Sequence, residues 1–271
     1  MTEVPQGESG AAELMRTAEL VAREAGELVR TAGTVTVSAT KSSGVDLVTE
    51  VDQAAEALIR RRLAELRPDD GILGEEEGRQ AGSSDLVWVV DPIDGTTNFV
   101  YGLPSHSVSI AVARATGEDP WAWELVAGAV HAPATNETWT AGLGQGAYAD
   151  GEQLRIGEPP ALATSLVGTG FAYTAERRTG QARVLTSVLP RVRDIRRLGS
   201  AAVDLCLVAQ GRLDVFYEQY LNPWDMAAGA LVVAEAGGVV RRLGTGEEGL
   251  TVAGPRALVD ELAGILEDAL R

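Results

Sequence analysis

Sulfur, imidazole and positive charge are all scarce in this chain of 271 residues. Cys206 is the sole cysteine, which excludes an intrachain disulfide and a cysteine-built metal site. The two histidines, His106 and His131, sit in apolar, strand-like segments and read as structural. Basic residues number 23 against 39 acidic ones, a formal net charge of −16. Such a surface repels nucleic acid and acidic membranes, because binding to either rests on Lys and Arg neutralising phosphates. The same excess of carboxylates can also signal cation binding, and only their positions separate the two readings. No apolar run approaches the roughly 20 residues of a membrane helix. The start, "MTEVPQGESG", lacks the basic and apolar stretches of a signal peptide, so residues 1–10 are expected to be a loose tail on a cytoplasmic protein.

What is present is mixed α and β patterning. Residues 11–30 carry Leu14, Ala18, Val21 and Ala25 at helical spacing. A second amphipathic helix places Ala55, Leu58, Ile59, Leu63 and Leu66 on one face and stops before Pro68. "LVWVV" (86–90) is continuously apolar, as expected of a strand buried on both faces. "SHSVSIAVAR", "WELVAGAVHA" and "NETWTAG" alternate like antiparallel strands, and Asp150-Gly151 marks a hairpin. Helices are expected near 177–189, 200–210, 225–236 and at the C-terminus, with "LDVFYE" and "GVVRRL" as strands. No repeat or linker interrupts the pattern, and residues 11–271 read as one compact domain in layers.

The stretch "WVVDPIDGTTNF" holds the chemistry. Asp91 closes a buried strand, where an unpaired anion is costly. Pro92 bends the backbone, Asp94 follows, and Gly95 and Thr96 offer a close-approaching backbone and a hydroxyl. Carboxylates for a hard cation thus lie beside amides for an anion, a pairing that suits Mg²⁺ and a phosphate. The plainer alternative is an Asp-containing turn in which Asp94 merely caps. Glu75, in "GEEEG", reads equally as a solvated face or a ligand. Asp52 and Asp225 each stand at a helix start, where a capping role competes with a functional one. Two decoys are set aside: "CLVAQGR" has cysteine-phosphatase spacing but places Cys206 on an apolar helical face, and "GLGQG" lies between strands as a turn. The basic cluster "RVRDIRR" reads as a strand edge or an interface from which an arginine reaches an anion.

Together "DLVTEVD", "GEE", "WVVDPIDGTTNF" and "WDMAAGALVVAEAGG" resemble the inositol monophosphatase family, in the family's order, over residues 12–265. The "DPIDGTTNF" form is closer to the inositol monophosphatase branch than to bisphosphate nucleotidases or fructose-bisphosphatases. The resemblance implies an α+β fold, a layered α-β-α-β-α sandwich of the inositol monophosphatase/fructose-bisphosphatase type, and usually a homodimer. It implies a lithium-sensitive phosphomonoesterase with two or three Mg²⁺ ions per site, held by Glu75, Asp91, the carbonyl of Ile93, Asp94 and Asp225. Gly95 and Thr96 would bind phosphate, Thr96 and Glu75 would orient the attacking water, Asp52 would support Thr96, and Lys41 would lie near the metal-bound waters. Gly199, Ser200, Ala201 and Glu218 would contact the alcohol of a small phosphate ester. "QYLNP" carries no family signature, which leaves the substrate open: myo-inositol monophosphate first, with histidinol phosphate, a sugar phosphate or fructose 1,6-bisphosphate as alternatives. A phosphatase-like regulatory binding protein is the rival of another class.

Overall fold

Strand β5, Leu86–Asp94, runs through the middle of the molecule and explains most of its layering. Val87 and Val89 point to one side of the sheet and Trp88 and Val90 to the other, and all four are buried. A strand apolar on both faces must be covered twice. The structure is a computed structural model that describes residues 6–32, 37–40 and 47–271. Lys41 lies outside the described residues.

In chain order the elements begin with α1 (Gln6–Thr31), β1 (Val37–Thr40), β2 (Leu47–Thr49), α2 (Glu50–Leu66), β3 (Gly71–Gly74) and β4 (Gly78–Gln80). After β5 come α3 (Thr96–Val100), β6 (Ser107–Arg114), β7 (Glu124–Ala132), β8 (Glu137–Gly142), β9 (Gly146–Ala149) and β10 (Glu152–Gln153). The second half holds β11 (Leu166–Thr169), α4 (Ala175–Val188), β12 (Asp194–Arg196), α5 (Ala201–Ala209), β13 (Val215–Gln219), α6 (Pro223–Glu235), β14 (Val239–Leu243), β15 (Leu250–Gly254) and α7 (Arg256–Leu270).

An eight-stranded sheet has the order β10-β9-β8-β7-β6-β5-β3-β4, and a five-stranded sheet the order β12-β11-β13-β15-β14. β5 pairs parallel with β3 and antiparallel with β6, which puts it inside the larger sheet. Helices α1 and α2 cover one face, where Ala18, Val21, Ile59 and Leu63 meet Trp88, Val90 and Ile110. On the other face α5 and α6 fill the space between the two sheets, with Leu205, Cys206, Leu231 and Val232 reaching both Val89 and Phe216. Every residue of α5 is buried, including Asp204, the one charged side chain in an otherwise apolar helix. Outside the smaller sheet lie α4 and α7, through Val184, Val188, Leu258 and Leu262 on Val215 and Val252. The result is the layered α-β-α-β-α sandwich that the resemblance implied.

Several details differ from the sequence reading. α1 starts at Gln6, upstream of residue 11, so that residues 6–10 are helical rather than tail. Leu66 is 41 % exposed and lies off the buried face of α2. β11 and β15 were not foreseen, because runs of four and five residues show little periodicity. The two decoys resolve as expected: Cys206 is fully buried in α5, and "GLGQG" turns β8 into β9. His131 is buried with Nδ1 2.7 Å from the Thr138 hydroxyl, and His106 Nδ1 lies 3.0 Å from the Leu103 carbonyl.

Asp70 ties the end of α2 to β5. Its carboxylate accepts from Arg67 Nε at 2.8 Å, Ser84 Oγ at 2.6 Å and Trp88 Nε1 at 3.0 Å. Burial raises the carboxyl pKa, but these three donors outweigh it and hold it below the ordinary value of 3.8. A depressed folded-state pKa gives stabilisation that is complete above the unfolded value and fades as pH falls through the folded one. Asp70→Asn is therefore expected to cost about 1–3 kcal/mol at pH 7 in urea unfolding. The gap from the wild type should hold above about 3.8 and narrow only as pH falls below it, through the depressed folded-state value.

Candidate active site

The acidic residues converge because three rigid elements end at one place. β5 delivers Asp91 and Asp94, and the register with β6 shifts between them, from Asp91 opposite Ser109 to Asp94 opposite Ser107. That irregularity, around Pro92, turns both side chains toward the start of α6, where Asp225 stands. Asp91, Asp94 and Asp225 each offer a carboxylate oxygen, and these oxygens lie within 4.8 Å of one another. Asp91 and Asp94 are buried. Glu75 follows β3 in the next-door turn, and its side chain hydrogen-bonds Asp91.

Each aspartate anchors itself with one oxygen. Asp225 accepts from Asn222 N at 2.7 Å, closing a capping box in which Asn222 is the N-cap and Asp225 the third helical residue. Asp94 Oδ2 accepts from Ser200 Oγ at 2.6 Å and from Ala202 N at 2.8 Å. Asp91 Oδ1 accepts from Ile93 N at 3.0 Å. The capping and functional readings of Asp225 therefore do not exclude each other, since its second oxygen is left for the cluster.

Electrostatically the cluster is only weakly compensated, by the charge of Arg197 on the cleft wall. Among the described residues no Lys or Arg hydrogen-bonds to Asp91, Asp94 or Asp225. Burial, then the charges of Glu75, Asp94 and Asp225, push the Asp91 carboxyl well above its ordinary value. Burial followed by Asp94 and Glu75 does the same to Asp225. Burial raises Asp94 to about 6, against the bonds from Ser200, Ala202 and Ala201 and the charge of Arg197. Hard oxygen donors crowded together without a protein cation bonded to them are the donor set that a hard divalent cation satisfies.

Gly95 links the cluster to α3 with φ of 93°, and a Cβ there would stand 2.9 Å from the Gly199 carbonyl, so only glycine fits. Thr96 Oγ1 lies 3.1 Å from Asp52 Oδ1 and 3.0 Å from the Ile93 carbonyl. Its single proton serves one of these at a time, and in the second case the Ile93 carbonyl is engaged. Asp52 lies behind Thr96 rather than on the cleft: its Oδ2 accepts from Thr49 N at 2.8 Å and from the Thr49 hydroxyl, which makes Thr49 the N-cap of α2.

The cluster forms the floor of a cleft of about 330 Å³. Gly199, Ala201 and Glu218 line it. Ser200 departs from the alcohol contact expected of it, because it is buried and its hydroxyl is turned to Asp94, with Val203 N donating to it at 3.3 Å at the start of α5. Burial, then Asp204 and Asp94, push the Glu218 carboxyl up to about 8, opposed by Arg197. Arg197, from the basic cluster, is on the cleft wall.

The sequence reading missed the opposite lip. Arg177, at the start of α4, stacks over the Tyr220 ring at 4.4 Å and pairs with Glu247 at 2.7 Å. Tyr220 has φ of 72°, a left-handed conformation rarely adopted by a bulky side chain, in the "QYLNP" segment without a family signature. These residues come from three distant segments, and none carries a local motif.

The inositol monophosphatase family model matches residues 11–270. An inositol-1-monophosphatase of Mycobacterium leprae is 46 % identical over an alignment covering 84 % of this chain and 80 % of the relative. A Salmonella typhimurium protein named Nus factor SuhB is 41 % identical, covering 87 % and 89 %. The solved structure of Mycobacterium tuberculosis SuhB superposes with a TM-score of 0.80 at 42 % identity, covering 96 % of this chain and 99 % of that one. Fold, acidic cleft and relatives together define a phosphomonoesterase. The chain belongs to the inositol monophosphatase family.

An aspartate whose folded-state pKa is raised contributes stability that is complete below about 3.8 and lost as pH rises through about 6. Metal-free Asp94→Asn is thus expected to exceed the metal-free wild type in stability at pH 8 by about 1–3 kcal/mol. Urea unfolding in EDTA checks this, and a less stable variant would refute the charge burden assigned to Asp94. Added Mg²⁺ should stabilise the wild type and have little effect on the variant.

Proposed function

We propose that the protein is a Mg²⁺-dependent phosphatase that hydrolyses myo-inositol monophosphate to inositol and phosphate, acting in the cytoplasm as a homodimer. The observation that carries this reading is the floor of the cleft, where three aspartate carboxylates meet with, among the described residues, no Lys or Arg hydrogen-bonded to them. Glu75, Asp91, the Ile93 carbonyl, Asp94 and Asp225 are the ligands for two cations, with a third, weaker ion leaning on Glu75. When bound, the ions supply Lewis acidity, lowering the pKa of water and neutralising charge that develops on the phosphoryl oxygens.

The rest falls to side chains and backbone. The N–H groups of Gly95 and Thr96 stand at the start of α3, where helical N–H groups lack internal partners, and they are the phosphate donors in this reading. Thr96 and Glu75 orient the attacking water, and Glu75 accepts its proton. Asp52, fixed by Thr49, holds the Thr96 hydroxyl in place. Glu218, in a site that pushes its carboxyl up to about 8, exchanges hydrogen bonds with the hydroxyls of the leaving alcohol, and Gly199 and Ala201 shape the wall beside it. Cys206 is excluded as a nucleophile, since it is fully buried in α5 and burial pushes its thiol up.

The name of the Salmonella relative motivates the second reading, a regulatory binding protein with a phosphatase fold. The net charge of −16 weighs against direct contact with nucleic acid, and the presence of all the proposed carboxylate ligands weighs against loss of catalysis. Among the described residues, no helix is long and apolar enough to cross a membrane.

Phosphate release from inositol 1-phosphate, histidinol phosphate, fructose 1,6-bisphosphate and a 3′-phosphonucleotide, with and without Mg²⁺, tests the proposal. Inositol 1-phosphate is expected to lead, only with Mg²⁺, and Li⁺ to inhibit. Asp94→Asn should nearly abolish turnover, and Thr96→Ala should lower kcat by about 10²–10⁴-fold. Another ester in the lead would replace the substrate and keep the chemistry. No release from any of the four would favour the binding protein.

A further inference from the structure

Helix α2 buries two carboxylates one turn apart, Asp52 and Glu56, at 1 % and 0 % exposure. Residues at this spacing share a helix face. Asp52 has a purpose on the page, capping α2 and meeting Thr96. Glu56 has no such role in its own helix, and full burial of a carboxylate is costly unless it is paired and hydrogen-bonded.

Apart from a pairing with Arg60 one turn along α2, its bonds lead to the turn that carries Glu75. Glu56 Oε2 accepts from Glu76 N at 2.8 Å, and Oε1 accepts from Glu77 N at 3.0 Å. Arg60, a further turn along α2, donates through Nε to Glu56 Oε1 at 2.9 Å and through NH2 to the Gly78 carbonyl at 2.7 Å. The turn between β3 and β4 is thereby held at successive backbone groups by one buried ion pair. The backbone N–H of Glu75 itself has a longer bond, 3.3 Å, to the Val90 carbonyl. Gly74 completes the fit: a Cβ there would stand 2.3 Å from Glu56 Oε1 and 2.8 Å from Arg60 NH2.

A solvated turn with three successive glutamates needs no such clamp, because water satisfies its N–H groups. An extra carboxylate beneath an acidic turn even adds repulsion, which Arg60 offsets. What the clamp supplies is position. We propose that Glu56 is a positioning residue for the reaction, fixing the 75–78 turn so that the Glu75 side chain is held against Asp91. The inference rests on the role given above to Glu75. Through Asp52 and Glu56, one face of α2 then aligns both members of the pair that orients the attacking water, Thr96 on one side and Glu75 on the other.

The test compares Glu56→Gln, Glu75→Gln and the full-length wild type in steady-state hydrolysis, in Mg²⁺ calorimetry and in thermal unfolding. Glu56→Gln is expected to lower kcat by about 10- to 100-fold, the range seen when a partner behind a metal ligand is lost. KM should stay within about twofold, while Mg²⁺ binds more weakly both in the activity titration and in the calorimeter. A role in stability alone would lower the unfolding temperature and leave kcat of the folded enzyme and its Mg²⁺ affinity unchanged, and that result overturns the proposal. If Glu56→Gln does not fold, Gly74→Ala decides, since its methyl group displaces Glu56 from the turn from the other side. Wild-type kcat and Mg²⁺ affinity in that variant would be equally fatal. Should the wild type release no phosphate, the proposed function fails, and the calorimetric comparison alone judges Glu56. An inert Glu75→Gln would sink the role of Glu75 and this inference with it, whereas an impaired Glu75→Gln beside a normal Glu56→Gln sinks only the latter.

Discussion

Like charges held close together in a poorly hydrated place are the constraint on which this structure turns. Carboxylates within 4.8 Å of one another repel, more strongly as water is excluded. Mobile loops would relieve that repulsion by moving apart. Here the aspartates stand on elements that cannot move apart: β5 between β3 and β6, and α6 clamped between the two sheets. The five layers are thus a means of holding anions where the chain alone would not leave them. The apolar mass of α5 and α6 also keeps water from the back of the cluster.

The second device is division of labour within each carboxylate. Asp225 gives one oxygen to the Asn222 N–H, Asp94 gives one to Ser200 and Ala202, and Asp91 gives one to the Ile93 N–H. One oxygen fixes the side chain and its neighbour remains for chemistry. This is why the sequence alone left cap and ligand as rivals: the residue types favoured at helix starts are the ones that also bind cations, and in this fold the bond that caps the helix leaves the second oxygen of Asp225 in the acidic cluster. Asp52 repeats the pattern, with one oxygen on Thr49 and the other on Thr96.

Legibility in the sequence follows the length over which a physical cause acts. The long helices show their 3.6-residue period, and the apolar run of β5 announces a strand covered on both faces, so mixed layers were readable from the residues themselves, whereas only the family resemblance grouped Glu75, Asp91, Asp94 and Asp225. Four-residue β11 has too few positions to show a period, and the first residues of α1, Gln6 to Gly10, include no large apolar side chain that would reveal a helical period. Ser200 was assigned to the cleft by its place in a motif, and only the packing of α5 against β5 shows that its hydroxyl serves Asp94. Glu56 carried no role in the sequence reading, because its turn partners lie about twenty residues further along. Contacts made across the fold leave no local mark.

Under the proposed function the cleft has a phosphate end and an alcohol end, and the two are built differently. The phosphate end uses strand and helix termini with short side chains, which have few rotamers to lose. The alcohol end is bounded by long side chains from separate segments, Arg177 on Tyr220 and Glu247 on Arg177. Tyr220 holds a strained left-handed backbone there, and Gln219 and Tyr220 are tied to the 248–249 segment by bonds of 3.0 and 3.4 Å. Strain kept at a cleft by several tethers indicates that the ring's position matters more than the local backbone energy. A shared floor with a variable lip lets one reaction serve different esters, because selectivity comes from groups that meet the alcohol while the acidic floor meets only the phosphate. In this chain the cleft that holds the Glu218 carboxyl also presents a guanidinium and an aromatic face, and under the proposed function these are the groups that would read the alcohol.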